Sequence, residues 1–213
     1  MMKFYKKEIK ELIIADFILA LAFTEIIYSP KEFSNFFYTF LISLAAVTIG
    51  FAFHEIAHKL TAQHFGAIAF FQASFFGLLF SLLTSFFGFL IAIPGATIIA
   101  SRLTKKEYGI VSLAGPAWNI FMGLLCIFLS LLFPNIADVF TFIGFVNIIL
   151  GFFNMLPIYP LDGSKVLAWN KGVYIISIAI IALLIFYFGI LSIAQILFML
   201  ILALVFSYFF RLV

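Results

Sequence analysis

The stretch Phe51-Ala52-Phe53-His54-Glu55-Ile56-Ala57-His58-Lys59 decides how this chain is read. It lies in the last third of an apolar run from Phe36 to Phe65, about 30 residues and long enough to cross a bilayer as a helix. Two imidazoles and a carboxylate inside such a run are costly, so the default reading is a functional site. On a helix, His54 and His58 stand about 40° apart around the axis and roughly 6 Å along it, close enough to share one metal ion. Glu55 points roughly 100° away, beside the metal, where a general base for an activated water belongs. The HExxH pattern has odds on the order of 1% by chance in a chain of this length.

The surrounding composition places the segment in lipid. Of 213 residues, 66% are hydrophobic and 10% charged, against roughly half and a quarter in soluble domains. An all-α, multi-pass membrane protein is expected. The net charge of +3 comes from scattered Lys and Arg that orient helices, with no basic tract for nucleic acid. Cys126 is the sole cysteine, which excludes an intramolecular disulfide and a cysteine metal cluster.

Along the chain, a Lys-rich start from Met1 to Glu11 leads into a first apolar helix, Leu12 to Tyr28. Asp16 interrupts the run and no small-residue cleavage site follows, so it reads as a retained span and not a leader. Asp16 and Glu25 are expected to snorkel or pair with Lys. Ser29-Pro30 opens a connection, and Gly66 stands where the second span should stop. The 34 residues from Ala67 to Ala100 are long for one crossing and short for two. A full crossing would put Arg102, Lys105 and Lys106 opposite the Lys-rich N-terminus, against the positive-inside tendency. A re-entrant element is expected instead, part helix and part extended chain around 67–72 and 94–100, lining a cavity that admits water. Glu107 to Phe133, broken near Gly115-Pro116, and Val139 to Met155 follow as spans. Gly172 to Leu212 has the length of two more, with a turn near Gly189 to Ser192. The total is about six transmembrane helices, six to seven, in one domain over 1–213: an N-terminal helix (1–35), a core (36–163) and C-terminal helices (164–213).

A catalytic zinc takes three protein ligands and leaves one position open. His64 completes the ligand spacing of soluble metzincins, but those proteins turn the helix at a Gly where this chain has Thr61. A continuous helix would carry His64 roughly 15 Å from His54 along the axis. Asp162 is the better candidate. It follows Pro157 and Pro160, which keep the backbone out of a helix, and precedes Gly163, which permits a sharp turn. A helix N-cap or turn carboxylate explains Asp162 about equally well from spacing alone.

Three motifs tilt the balance. His54-Glu55-x-x-His58, Ser112-Leu113-Ala114-Gly115-Pro116-x-x-Asn119 and Asn154-x-x-Pro157-x-x-Pro160-Leu161-Asp162-Gly163 occur in the order and separations of the site-2 protease family of intramembrane zinc metalloproteases (peptidase family M50). The chain resembles that family over roughly 60% of its length, from Phe36 to Gly163. The resemblance implies one Zn2+ held by His54, His58 and Asp162, Glu55 as general base, a three-helix catalytic core in the cytoplasmic half of the bilayer, and cleavage of transmembrane segments of other proteins. It tilts Asn119 and Asn154 toward transition-state or substrate stabilisation, although pairing with backbone freed by proline explains either residue too. No loop is long enough for the PDZ or CBS domains of many members, so a minimal form is expected. Together with the lack of an organelle signal, this points to a prokaryotic cell membrane. The alternative is a non-catalytic pseudoprotease or membrane metal-binding protein with the same fold, which leaves Glu55 without a purpose. A prenyl-protein peptidase would leave the Pro160-Leu161-Asp162-Gly163 stretch unexplained.

Overall fold

Helix α1 (Lys6–Ile27, 22 residues) begins more than a turn before the apolar run, with Glu8 in its first turn facing the helix dipole. In the computed structural model, which describes residues 3–27, 36–88 and 90–212, α1 belongs to the first of two compact units, Met1–Arg102 and Leu103–Val213. The Ser29-Pro30 connection lies outside the described residues. Small side chains at Ala15, Ala20 and Ala22 are fully buried, which allows α1 to pack closely on its neighbours. The snorkelling expected of Asp16 is not what the fold does. Its side chain, halfway along α1, is buried and Oδ2 accepts a 2.6 Å hydrogen bond from Thr48 Oγ1.

The second span is continuous in length but not in pitch. Helix α2 (Phe36–Val47) passes through a wider π-turn at Thr48–Ala52 into α3 (Phe53–His64), and the 29 residues from Phe36 to His64 are long and apolar enough to cross a membrane. Gly66, at φ +78°, closes the helix as expected. Its N–H bonds to Gln63 O and that of Ala67 to Ala62 O, the paired bonds of a left-handed helix stop.

The re-entrant element is a hairpin interrupted by a short helix. Strand β1 (Ala69–Ala73) pairs antiparallel with β2 (Gly95–Ile99) in the register Ala69↔Ile99 to Ala73↔Gly95, so the segment leaves from the end at which it enters. Between them α4 (Phe75–Ser85, 11 residues) is capped by Ser74, which accepts from Gly77 N–H. At roughly 1.5 Å per residue, α4 spans about half a bilayer. The extended return is satisfied by α4's hydroxyls: Ser81 Oγ accepts from Ile93 N–H and Thr84 Oγ1 from Ile91 N–H. Such internal bonding is what lets non-helical backbone sit at membrane depth. Phe51, Val47 and Phe71 pack with Ala15, Leu19 and Leu78 in the core of this unit.

The second unit starts with α5 (Lys105–Leu132, 28 residues), opened by a capping box between Thr104 and Glu107. The expected break at Gly115-Pro116 does not occur. Pro116 is buried inside a continuous helix, since membrane helices tolerate a proline when neighbours re-satisfy the freed backbone. A 3₁₀ turn at Pro134–Ile136 leads into α6 (Ala137–Asn154), which lies against α5. A Cβ at Gly123 would stand 2.6 Å from Ile148 Cγ1, so this contact uses small residues in the way membrane helices do. Short helix α7 (Asp162–Trp169) follows, then α8 (Lys171–Phe188) and α9 (Ile193–Leu212), two helices separated by Gly189 at φ +60°. The core joins Ile148, Phe152 and Met155 with Val166, Ile181 and Ile185.

The chain is an all-α multi-pass membrane protein, with one two-stranded hairpin among the described residues. Residues 36–64, 105–132, 134–154 and 171–188 are each long and apolar enough to span a bilayer, and α1 and α9 match a span in length at 22 and 20 residues. Phenylalanines such as Phe76 and Phe186, more than 80% exposed, suit a lipid-facing surface.

Candidate metal centre

Helix α3 presents His54, Glu55 and His58, all buried. One turn of helix brings His54 Nε2 and His58 Nε2 to 2.9 Å, with ring centroids 4.5 Å apart and planes at 87°. Two imidazole nitrogens on one tetrahedral zinc stand roughly 3.3 Å apart. The pair therefore aims at a single point that suits the ion after a small ring shift, and neutral imidazole is a donor zinc favours.

Glu55 is held from the hairpin. Thr97, in the middle of β2, donates both its N–H and its Oγ1–H to Glu55 Oε2, each at 2.8 Å, and the same hydroxyl stands 3.1 Å from the Glu55 carbonyl. Thr97 opens the β-branched run Thr97-Ile98-Ile99, and nothing in its local sequence points to Glu55. A cavity of about 20 Å³ is lined by Glu55, Lys59, Glu8, Phe4, Leu12 and Phe71, room for one water molecule.

The residue following the second histidine is also anchored. Lys59 is 2% exposed and forms an ion pair with Glu8, 5% exposed, on α1. Its Nζ stands 3.8 Å above the Phe4 ring. Together with Asp16–Thr48 at the π-turn, this contact fixes α3 against α1 on both sides of the histidine pair. Such π-turns recur at functional sites because they rotate the following residues. Nothing in the sequence signals this one apart from Gly50.

His64 ends α3 exposed, edge-on to Phe65.

In the second unit, α6 ends at Asn154 and the chain folds back through 155–161, with Tyr159-Pro160 cis. Ile158 N–H bonds to Leu156 O and Leu161 N–H to Ile158 O. Gly163 packs so tightly under this loop that a Cβ would lie 2.2 Å from Met155 O. Asp162 is the first residue of α7 and buried; the cap position itself falls on Leu161, which makes no side-chain cap bond. Asp162 Oδ1 accepts from Lys165 Nζ at 3.2 Å. Asn119 Nδ2 donates to Asn147 Oδ1 at 3.2 Å and Asn147 Nδ2 to Ile143 O at 2.9 Å, a buried amide pair between α5 and α6. Asn154 Nδ2 donates to Leu150 O. Asn147 escaped notice in the sequence because it sits in an unbroken apolar run.

Comparison with known proteins agrees with this picture. A family model described as "Peptidase family M50" matches residues 132–171, the segment that carries Asn154 through Gly163. A protein of Methanocaldococcus jannaschii named "Putative zinc metalloprotease MJ0611" is 39% identical over 181 residues, 82% of this chain and 90% of the relative. No solved structure matches the chain. With a relative this similar over nearly its whole length, and the motifs in place on a multi-pass helical fold, the chain belongs to peptidase family M50, the site-2 protease family of zinc metalloproteases.

Proposed function

We propose that this protein is an intramembrane endopeptidase that cuts transmembrane segments of other membrane proteins in regulated proteolysis, with one zinc ion held by His54, His58 and Asp162 and with Glu55 as general base. The observation that carries this reading is the 2.9 Å convergence of the two histidine nitrogens inside a 29-residue apolar span, with Glu55 fixed beside them. Asp162 is supported as third ligand by its motif, its burial and its position at the head of α7 rather than as that helix's cap. On this reading residues 1–213 act as a single protease domain: N-terminal helix 1–35, catalytic core 36–163 and C-terminal helices 164–213. The site lies toward the cytoplasmic side of a prokaryotic cell membrane.

When bound, the metal supplies Lewis-acid activation of water and of the scissile carbonyl. The remaining work falls to side chains. Glu55 takes a proton from the attacking water at Oε1, the oxygen not held by Thr97, and delivers it to the leaving amine. By the motifs in which they stand, we assign Asn119 and Asn154 to the developing oxyanion or to the substrate main chain. Lys165 orients Asp162 through Oδ1. A substrate helix hides its carbonyls in internal hydrogen bonds, so it must unwind before attack; the extended chain of the re-entrant hairpin offers an edge for it to pair with.

The test is cleavage by the purified, zinc-loaded protein of a transmembrane substrate reconstituted with it. Activity that is lost with chelation and regained with zinc is expected. A protein that binds zinc yet cleaves no membrane substrate would favour the non-catalytic alternative.

A further inference from the structure

The alternation of hydrogen bonds in the hairpin determines what β2 shows to its surroundings. Ser74 N–H bonds to Pro94 O and Ala100 N–H to Ile68 O at the two ends of the ladder. With the register Ala69↔Ile99, the even-numbered residues of β2 therefore exchange backbone bonds with β1, and Gly95, Thr97 and Ile99 turn theirs outward. An outward strand edge is a ready template for another extended chain unless something occupies it. At its centre the Thr97 amide is occupied by the Glu55 carboxylate, and the Thr97 hydroxyl doubles the contact on the same oxygen.

We propose that Thr97 is the positioning residue of Glu55: by donating twice to Oε2 it fixes the rotation of the carboxylate and reserves Oε1 for the water. The two bonds come from groups of one residue, so the base takes its orientation from the register of the hairpin. Thr97 touches neither water nor substrate; it acts through Glu55. The inference rests on Glu55 being the general base.

Four variants of the full chain, Thr97→Val, Thr97→Ser, Glu55→Gln and Glu55→Ala, test it with zinc content and cleavage kinetics in detergent micelles. Thr97→Val keeps the shape of the side chain and loses the hydroxyl. It should lower kcat about tenfold, as expected for a hydrogen bond to a charged group, with KM and zinc content unchanged, and Thr97→Ser should restore most of the rate. A wild-type kcat in Thr97→Val overturns the proposal, as does a loss that Thr97→Ser shares or that travels with zinc. Amide hydrogen exchange gives a readout independent of activity and of metal. In Glu55→Ala the amide within 95–99 should exchange faster than in wild type, with Glu55→Gln in between; equal exchange removes the contact itself. Full cleavage by Glu55→Gln would end the general-base reading, whereas unchanged exchange in Glu55→Ala would end only the role of Thr97.

Discussion

Lys59, next in sequence to His58, is paired with Glu8 across 51 residues of chain, and both side chains are buried. A lysine and a glutamate so deeply enclosed hold each other in place less by net attraction than by the cost of leaving either one alone. The pair locks α3, the helix that carries His54 and His58, to the N-terminal helix.

Removing one partner should therefore hurt more than removing both. Glu8→Gln and Lys59→Met are each expected to destabilise the protein by about 3–5 kcal/mol, the usual cost of an orphaned buried charge. The double variant should recover much of that. Thermal unfolding midpoints in detergent check the order, and a double variant at least as unstable as the sum of the singles would contradict it.

Gly163 admits no side chain. A Cβ there would stand 2.2 Å from the carbonyl oxygen of Met155, so Gly163→Ala must push the loop off the end of α6. A loss of about 1–3 kcal/mol in stability is expected from the overpacking. Since Asp162 moves with the loop, zinc content should fall as well. An unaltered midpoint with full zinc would show that the loop relaxes freely.

The third ligand is settled by comparing two single variants. Asp162→Ala should strip most of the bound zinc under dialysis, whereas His64→Ala, which alters an exposed helix end, should leave the metal in place. Elemental analysis of the two proteins is sufficient. The opposite order would move the third ligand to His64.

What could be read from the sequence was chemistry with short spacing. His54, Glu55 and His58 announce themselves because a helix of 3.6 residues per turn fixes their relation. Asp162-Gly163 stands out because proline and glycine restrict the backbone around it. The extended chain around 67–72 and 94–100 was legible through a charge argument and its glycine and proline content, although its pairing into the hairpin 69–73 with 95–99, and the register, were not. Contacts between distant segments were hidden. Thr97 reaches Glu55 across 42 residues, and Glu8 reaches Lys59 across 51; each of these residues alone has an ordinary local explanation. Asp16 was read by its distance from the helix ends, yet a hydroxyl on a neighbouring helix decided its fate. The π-turn and the unbroken passage of α5 through Pro116 depend on how neighbours re-satisfy freed backbone groups, which no local pattern encodes.

In the proposed mechanism Glu55 moves the proton while the histidines hold the metal. Cleavage of a transmembrane substrate by Glu55→Gln, with zinc measured in the same preparation, tests it most directly. Zinc at the wild-type level and cleavage reduced by at least about a hundredfold, the lower end of what a general base contributes, are expected. Wild-type cleavage by zinc-loaded Glu55→Gln would contradict it.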